Sequence, residues 1–188
     1  MKNNLLFLTL CMVVLCTVLL RAYETPSLAI KHENAVDVSK IDTIYVLPPK
    51  DLFIREMERL DSYGNIELCD SVAYDFIVEN GIQHPNIVLA QMRIESGNYQ
   101  SKLAKKNNNY FGMRHPTQRL TVSLGQKNGY ARYRNWAYSV IDYGLWQRRY
   151  ANNLTEEEYL TKLSNTYAED PDYVRKVKNI AKNLENAK

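Results

Sequence analysis

The sequence predicts a mainly α (α+β) fold with one small β lobe, and three patterns support that prediction. Helical periodicity with start and stop residues recurs from Asp70 to the end of the 188-residue chain. Residues 113–134 instead hold Gly125, Gly129 and scattered β-formers, which indicate a hairpin or an irregular β lobe. Hydrophobic residues make up 45% and charged residues 24%, so a wholly disordered or fibrous chain is excluded.

Each predicted helix has a residue that can start it. Asp70 caps a helix that Gly81 ends. Pro85 starts the next helix, which ends before Gly97 and is apolar on most faces, so we expect it to be the buried central helix. Further helices are predicted within 98–109, over 137–152, after a capping box of Thr155 and Glu158, and from Asp170-Pro171 onward.

The N-terminal segment 1–22 differs from the rest of the chain. Leu5 to Leu20 form an uncharged apolar run, and a helix of that length spans about 24 Å. This length lies between the core of a signal peptide and the roughly 30 Å of a bilayer core. We therefore expect an exported protein of the periplasm or cell envelope, secreted after signal cleavage or anchored to the membrane by this helix. A lipidated Cys16 is a third option.

Between this segment and the folded domain, residues 23–69 are predicted to form an extended stalk or linker. The stalk is polar, with a short strand over Ile41–Leu47 and a short helix over 51–62. From residue 70 onward the helical signals are continuous, so the domain is placed at 70–188.

Charge and cysteine content exclude several kinds of protein. The net charge of +3 is too small to indicate a nucleic-acid partner. Residues 70–150 carry a surplus of positive charge, which suits either an anionic polymer or a solvated surface. Cys69 is the only cysteine after residue 22, and we interpret it as a structural thiol at a helix start rather than a nucleophile. The three histidines are far apart, so neither a metal nor another cofactor is predicted.

Glu95 is the residue that most strongly indicates chemistry. It lies near the end of the apolar helix, one turn after Gln91 and Met92. Desolvation at such a position raises the pKa of a carboxyl group, and a carboxylic acid that stays protonated near neutral pH can act as a general acid. The alternative is an ordinary glutamate at a helix end that turns toward water.

Four sequence blocks around and after Glu95 occur in a fixed order over residues 70–185. The blocks are Gln91-Met-Arg-Ile-Glu95-Ser-Gly97 with Ser101, Asn109-Tyr-Phe111-Gly112, Tyr133-Arg-Asn-Trp136 with Ser139 and Asp142, and Tyr167-Ala-Glu-Asp-Pro-Asp-Tyr173. They resemble the glucosaminidase domain of glycoside hydrolase family 73, the bacterial cell-wall endo-β-N-acetylglucosaminidases, whose domain is of the mannosyl-glycoprotein endo-β-N-acetylglucosaminidase type.

The resemblance implies a lysozyme-like fold and cleavage of the β-1,4 bond after N-acetylglucosamine in peptidoglycan. By the match, Glu95 would be the general acid and Tyr167 would lie close to the reaction centre. Six further residues would shape the cleft or hold the sugars: Gln91, Asn109, Phe111, Gly112, Tyr133 and Trp136. Core positions are the alternative for Phe111, Tyr133 and Trp136, and Asp142 is expected to be structural.

The sequence departs from the family pattern in its acidic residues. Glycoside hydrolysis usually needs two carboxylates, and residues 96–141 contain no Asp or Glu. The substrate's own acetamido group, a distant acid such as Asp142 or one of Glu156–Glu158, or a single-glutamate lytic transglycosylase reaction would each account for this. A non-catalytic glycan-binding module is the remaining alternative.

The expected partners are peptidoglycan glycan strands and, where the N-terminal helix is retained, a membrane. Tyrosine is unusually frequent, and ten of the 14 tyrosines fall between Tyr99 and Tyr173. Because tyrosine has an apolar ring and a polar tip, this surplus predicts a sugar-binding wall, with some members in the core.

Overall fold

A computed structural model describes residues 50–167 and 170–186 of the chain. The predicted N-terminal helix and the strand over Ile41–Leu47 lie outside these residues. Within the described ranges, no helix is both long enough and apolar enough to cross a membrane.

The described residues form seven α-helices, one short 3-10 helix and one two-stranded antiparallel sheet. This is the mainly α architecture with a small β lobe that the sequence predicts. In chain order the elements are α1 (Lys50–Ser62), the 3-10 helix (Tyr63–Asn65), α2 (Asp70–Glu79), α3 (Pro85–Glu95), α4 (Lys102–Asn107), β1 (Gln126–Lys127), β2 (Tyr130–Ala131), α5 (Trp136–Tyr150), α6 (Glu156–Tyr167) and α7 (Tyr173–Asn186).

Helix α3 is the buried central helix, as predicted. Six consecutive residues from Ile87 to Met92 are buried, and α3 packs against both α2 and α7. Pro85 occupies its first turn after His84, whose positive φ of 56° redirects the chain. A proline is favoured there because the first backbone N–H groups of a helix have no partner within the helix.

The prediction for the start of α2 needs one correction. Cys69 occupies the N-cap position, while Asp70 is the first helical residue. The carboxylate of Asp70 instead accepts hydrogen bonds from the Tyr99 hydroxyl at 2.6 Å and from Arg93 at 3.2 Å. Asp70 therefore joins the start of α2 to the residues around the end of α3. Gly81 follows the helix with a φ of +63°, as expected of a residue that ends a helix.

The β lobe is a small hairpin whose turn is Asn128-Gly129. Both turn residues have positive φ, 53° and 82°, which is the conformation that a two-residue hairpin turn favours. Gln126 pairs with Ala131, and Lys127 pairs with Tyr130.

Helix α1, within the segment predicted as a stalk, packs against the body of the domain. Leu60 is fully buried, and its carbonyl accepts a hydrogen bond from the Asn135 side chain at 2.8 Å. Asp61 accepts one from the Tyr138 hydroxyl at 2.7 Å. The contacts of the folded part thus begin before residue 70. At the other end of the domain, Thr155 and Glu158 form the predicted capping box at the start of α6.

Candidate active site

Glu95 is the last residue of α3, where the chain leaves the buried core. Its carboxyl group is partly buried, and Oε1 accepts a hydrogen bond from the Tyr173 hydroxyl at 2.8 Å. Burial raises the pKa of Glu95, while the Tyr173 hydrogen bond lowers it, and burial is the larger effect. A partly buried carboxyl group with a raised pKa keeps its proton to higher pH than an exposed glutamate does, as a general acid requires.

Gly112 borders the second oxygen of Glu95. A Cβ atom built on Gly112 would lie 3.5 Å from Oε2, and the backbone has a φ of +65°, which side-chain-bearing residues rarely adopt. Asn109 holds this loop, since its side chain bonds the Met113 N–H at 3.0 Å and the Met113 carbonyl at 2.8 Å. Asn109 is fully buried, so its side chain shapes the loop from the inside.

Gln91 lies behind Glu95 and is also fully buried. Its Nε2 donates to the Tyr173 hydroxyl at 3.3 Å, and its Oε1 accepts from the Tyr143 hydroxyl at 2.6 Å. The structure therefore gives Gln91 a supporting position, one hydrogen bond removed from Glu95.

Phe111 is fully buried and stacks on the ring of Tyr143, with the ring centres 4.2 Å apart. Tyr143 in turn bonds Gln91, so the aromatic pair packs directly against the polar group behind Glu95. Phe111 thus adopts the core position that the sequence left as its alternative.

Tyr133 and Asp142 form a buried polar cluster with Arg119. The Tyr133 hydroxyl donates to Asp142 at 2.7 Å, and Arg119 donates to both carboxylate oxygens at 3.1 and 2.9 Å. The Val122 N–H donates a further hydrogen bond at 3.2 Å. Asp142 is fully buried, and four hydrogen bonds occupy its carboxylate, which agrees with the structural role expected of it.

Trp136 lies in an aromatic cluster at the start of α5. Its ring contacts Tyr63 and Phe76 edge to face, with ring centres 5.3 and 5.2 Å apart, and only 5% of the residue is exposed. Trp136 thus adopts the core position that the sequence left as its alternative. It lies between α5, α2 and the 3-10 helix.

Part of the tyrosine surplus lies in the core, as the sequence analysis allowed. Four of the ten tyrosines are at most 2% exposed and belong to the core rather than to a sugar-facing wall: Tyr133, Tyr138, Tyr143 and Tyr159. Their hydroxyl groups satisfy buried polar partners, which an all-phenylalanine core could not do.

Tyr167 ends helix α6, and the structure does not describe its side chain. Its place near the reaction centre therefore remains a prediction. Tyr173 is the site residue that sequence reasoning missed, although it ends the same Tyr167–Tyr173 block. The signal that could have found it is the tyrosine at the last position of that block.

Three of the alternative acids have other partners or lie in another part of the domain. Asp142 is enclosed by its own four partners, and Glu158 is held by Thr155. Glu156 lines a groove with Pro85, at the opposite end of α3 from Glu95. An eleven-residue helix is about 16 Å long, so that groove is remote from Glu95.

Comparison with known families identifies the class of this domain, which is a glycosidase-type hydrolase. The family model described as mannosyl-glycoprotein endo-beta-N-acetylglucosaminidase, the glucosaminidase domain, matches residues 72–186. The chain belongs to this glucosaminidase family, and its mainly α architecture is of the lysozyme-like kind. No curated protein and no solved structure matches the chain significantly.

Proposed function

We propose that this protein is an exported peptidoglycan hydrolase that cleaves the β-1,4 bond after N-acetylglucosamine, with Glu95 as the general acid. The observation that carries the proposal is the carboxyl group of Glu95, partly buried at the end of α3 beside Gly112, within a domain of the glucosaminidase family. Its raised pKa supports the same role.

In this reaction the Glu95 proton passes to the glycosidic oxygen as the bond from that oxygen to C1 breaks. The leaving sugar departs with a free hydroxyl group, and Glu95 becomes a carboxylate. Proton donation of this kind contributes roughly 10²–10⁴ in rate. A water molecule then supplies the hydroxyl group at C1, and its second proton restores the acid.

The group that attacks C1 is proposed to be the substrate's own 2-acetamido oxygen, with Tyr167 beside it. This account needs only one protein carboxylate. It is supported by the absence of Asp and Glu from residues 96–141 and by the four hydrogen bonds that occupy Asp142. A lytic transglycosylase reaction also needs only one glutamate and differs in its product.

The test is a digest of purified peptidoglycan with the native protein, with Glu95→Gln and with the control Glu58→Gln. Glu58 is an exposed glutamate of α1. We expect soluble fragments from the native protein and the control, and a loss of at least about 100-fold with Glu95→Gln. Equal release by all three proteins would contradict the role of Glu95.

Mass spectrometry of the released ends decides between the two reactions. A reducing N-acetylglucosamine end supports the glucosaminidase, whereas a 1,6-anhydro-muramic end identifies a transglycosylase.

A non-catalytic glycan-binding module is the second candidate, and the shortage of carboxylates favours it. Purified sacculi would then retain the protein without releasing fragments, in a pull-down that uses the native chain.

For either candidate we propose that residues 1–22 direct export, as a cleaved signal or as a retained anchor. Fractionation of cells, with the mass of the mature protein, tests that part separately.

A further inference from the structure

The hydrogen bonds behind Glu95 form a chain that runs from Gln91 through Tyr173. Two tyrosine hydroxyl groups, those of Tyr143 and Tyr159, lie 2.6 and 3.3 Å from Oε1 of Gln91. The amide oxygen accepts the shorter bond from Tyr143, and the two hydroxyl groups also hydrogen-bond each other. The Nε2 donor group at the other end of the amide faces Tyr173 at 3.3 Å.

This orientation determines what the Tyr173 hydroxyl does. Its oxygen accepts the Gln91 N–H, so its own proton is available to Glu95, whose Oε1 lies 2.8 Å away. Tyr173 is 5% exposed and Gln91 is fully buried, so water does not compete readily for either bond. Burial thus makes the chain of donors from Gln91 through Tyr173 to Glu95 a stable arrangement.

The two oxygens of Glu95 are consequently not equivalent. Oε1 accepts a hydrogen bond, which leaves Oε2 to carry the proton of the neutral acid. Oε2 faces Gly112, where the absence of a side chain leaves space: a Cβ atom there would lie 3.5 Å from it. A proton on Oε2 can therefore leave toward a glycosidic oxygen on the Gly112 side.

We propose that Tyr173 is a positioning residue, which Gln91 orients, and that it holds Oε1 of Glu95 so that Oε2 donates the catalytic proton. The role in catalysis rests on the proposed function, whereas the hydrogen bond itself does not. Once the proton has left, the same hydroxyl group stabilises the new carboxylate through a charge-assisted hydrogen bond.

The charged groups near this pair are occupied elsewhere. Arg93, on the same helix as Glu95, bonds Asp70 at 3.2 Å. Beside Tyr173, Asp172 pairs with Arg175 at 2.8 Å, and Asp170 pairs with Lys176 at 2.6 Å. Among the described residues, burial and the Tyr173 hydroxyl are the influences on the pKa of Glu95.

The variant Tyr173→Phe tests the proposal because it removes only the hydroxyl group. Loss of a hydrogen bond to the carboxylate disfavours the charged form, so the pKa of Glu95 rises. A general acid works while protonated, so the alkaline limb of the kcat/KM profile should move to higher pH. We expect kcat to fall about tenfold through looser positioning, while KM changes less than about twofold because Tyr173 is only 5% exposed.

The matched control is Tyr138→Phe, which removes another buried hydroxyl group bonded to a carboxylate, that of Asp61. It should leave the alkaline limb in place. An unchanged limb in Tyr173→Phe would overturn the proposal, since that is the result expected of a purely structural role. The same shift in both variants would also overturn it, since the effect would then not be specific to Tyr173.

An NMR titration separates this proposal from the proposed function. The ¹³C carboxyl signal of Glu95, identified by its loss in Glu95→Gln, should titrate at higher pH in Tyr173→Phe even where no hydrolysis is seen. In the unsubstituted protein, the ¹³Cζ signal of Tyr173 should move with the same midpoint as Glu95, a readout that requires no folded Tyr173 variant. A Tyr173 signal whose chemical shift stays constant while Glu95 titrates would refute the hydrogen bond.

Discussion

Replacement of Asp142 by alanine should strongly destabilise the fold, and the structure gives the size of the effect. Asp142 is fully buried and accepts hydrogen bonds from Arg119, Tyr133 and the Val122 N–H. The Arg119 side chain is only 4% exposed, so its charge cannot turn to water without a rearrangement of the loop that carries it. Asp142→Ala therefore leaves a buried cation and two buried donors without their partner.

Breaking a buried ion pair by removing one partner costs about 3–5 kcal/mol. Domains are stable by about 5–15 kcal/mol, so this loss is a large fraction of the total. For a chain of this size, 1 kcal/mol corresponds to about 2–4 °C in Tm, which predicts a decrease on the order of 10 °C.

Urea unfolding followed by circular dichroism measures the change, with Asp172→Ala as the control. Asp172 also pairs with an arginine, Arg175, but the two side chains are 54% and 65% exposed, so its loss should cost less than about 1 kcal/mol. Equal, small losses in both variants would refute the reasoning. A normally stable Asp142→Ala that has lost hydrolysis would instead make Asp142 the second catalytic acid.

Two further predictions concern the surroundings of Glu95. Because burial raises the pKa of Glu95 in the folded state, its contribution to stability is complete below the unfolded pKa and is lost as pH rises through the folded pKa. Glu95→Gln keeps an acceptor for Tyr173, so its urea midpoint should exceed that of the native protein at pH 7 and approach it near pH 4; a lower midpoint at pH 7 would contradict this. Gly112→Ala, at a φ of +65°, should cost about 1–2 kcal/mol and reduce hydrolysis, since its methyl group would lie 3.5 Å from Oε2. Gly129→Ala, at a φ of +82° with no atom within 4 Å of the new methyl group, should cost a similar amount and leave hydrolysis unchanged in the same assays.

Sequence reasoning located the local features of this fold well. Pro85, Gly81 and the Thr155–Glu158 capping box mark helix ends, since each depends on only a few neighbouring residues. The turn at Asn128-Gly129 lies within the segment predicted as a β lobe. Glu95 stood out because the family blocks surround it, since a glutamate at a helix end is ordinary in itself.

The sequence did not show which way the side chains of the other site residues face. Gln91, Phe111, Tyr133 and Trp136 occur in the family blocks, but a block cannot show whether a side chain faces a cleft or the core. Packing of α3 and α5 against their neighbours decides that direction, and here all four residues are buried.

By itself, the sequence determined the mainly α architecture, most of the helix ends and the hairpin lobe, and it marked Glu95 as the candidate acid. These follow from periodicity, capping and turn chemistry, which act over a few residues. Only the tertiary structure joined Tyr173 to Glu95, across 78 positions of the chain, and tied Asp142 to Arg119. Such contacts depend on how helices and loops pack together, and no local pattern records which oxygen of Glu95 accepts the Tyr173 hydrogen bond.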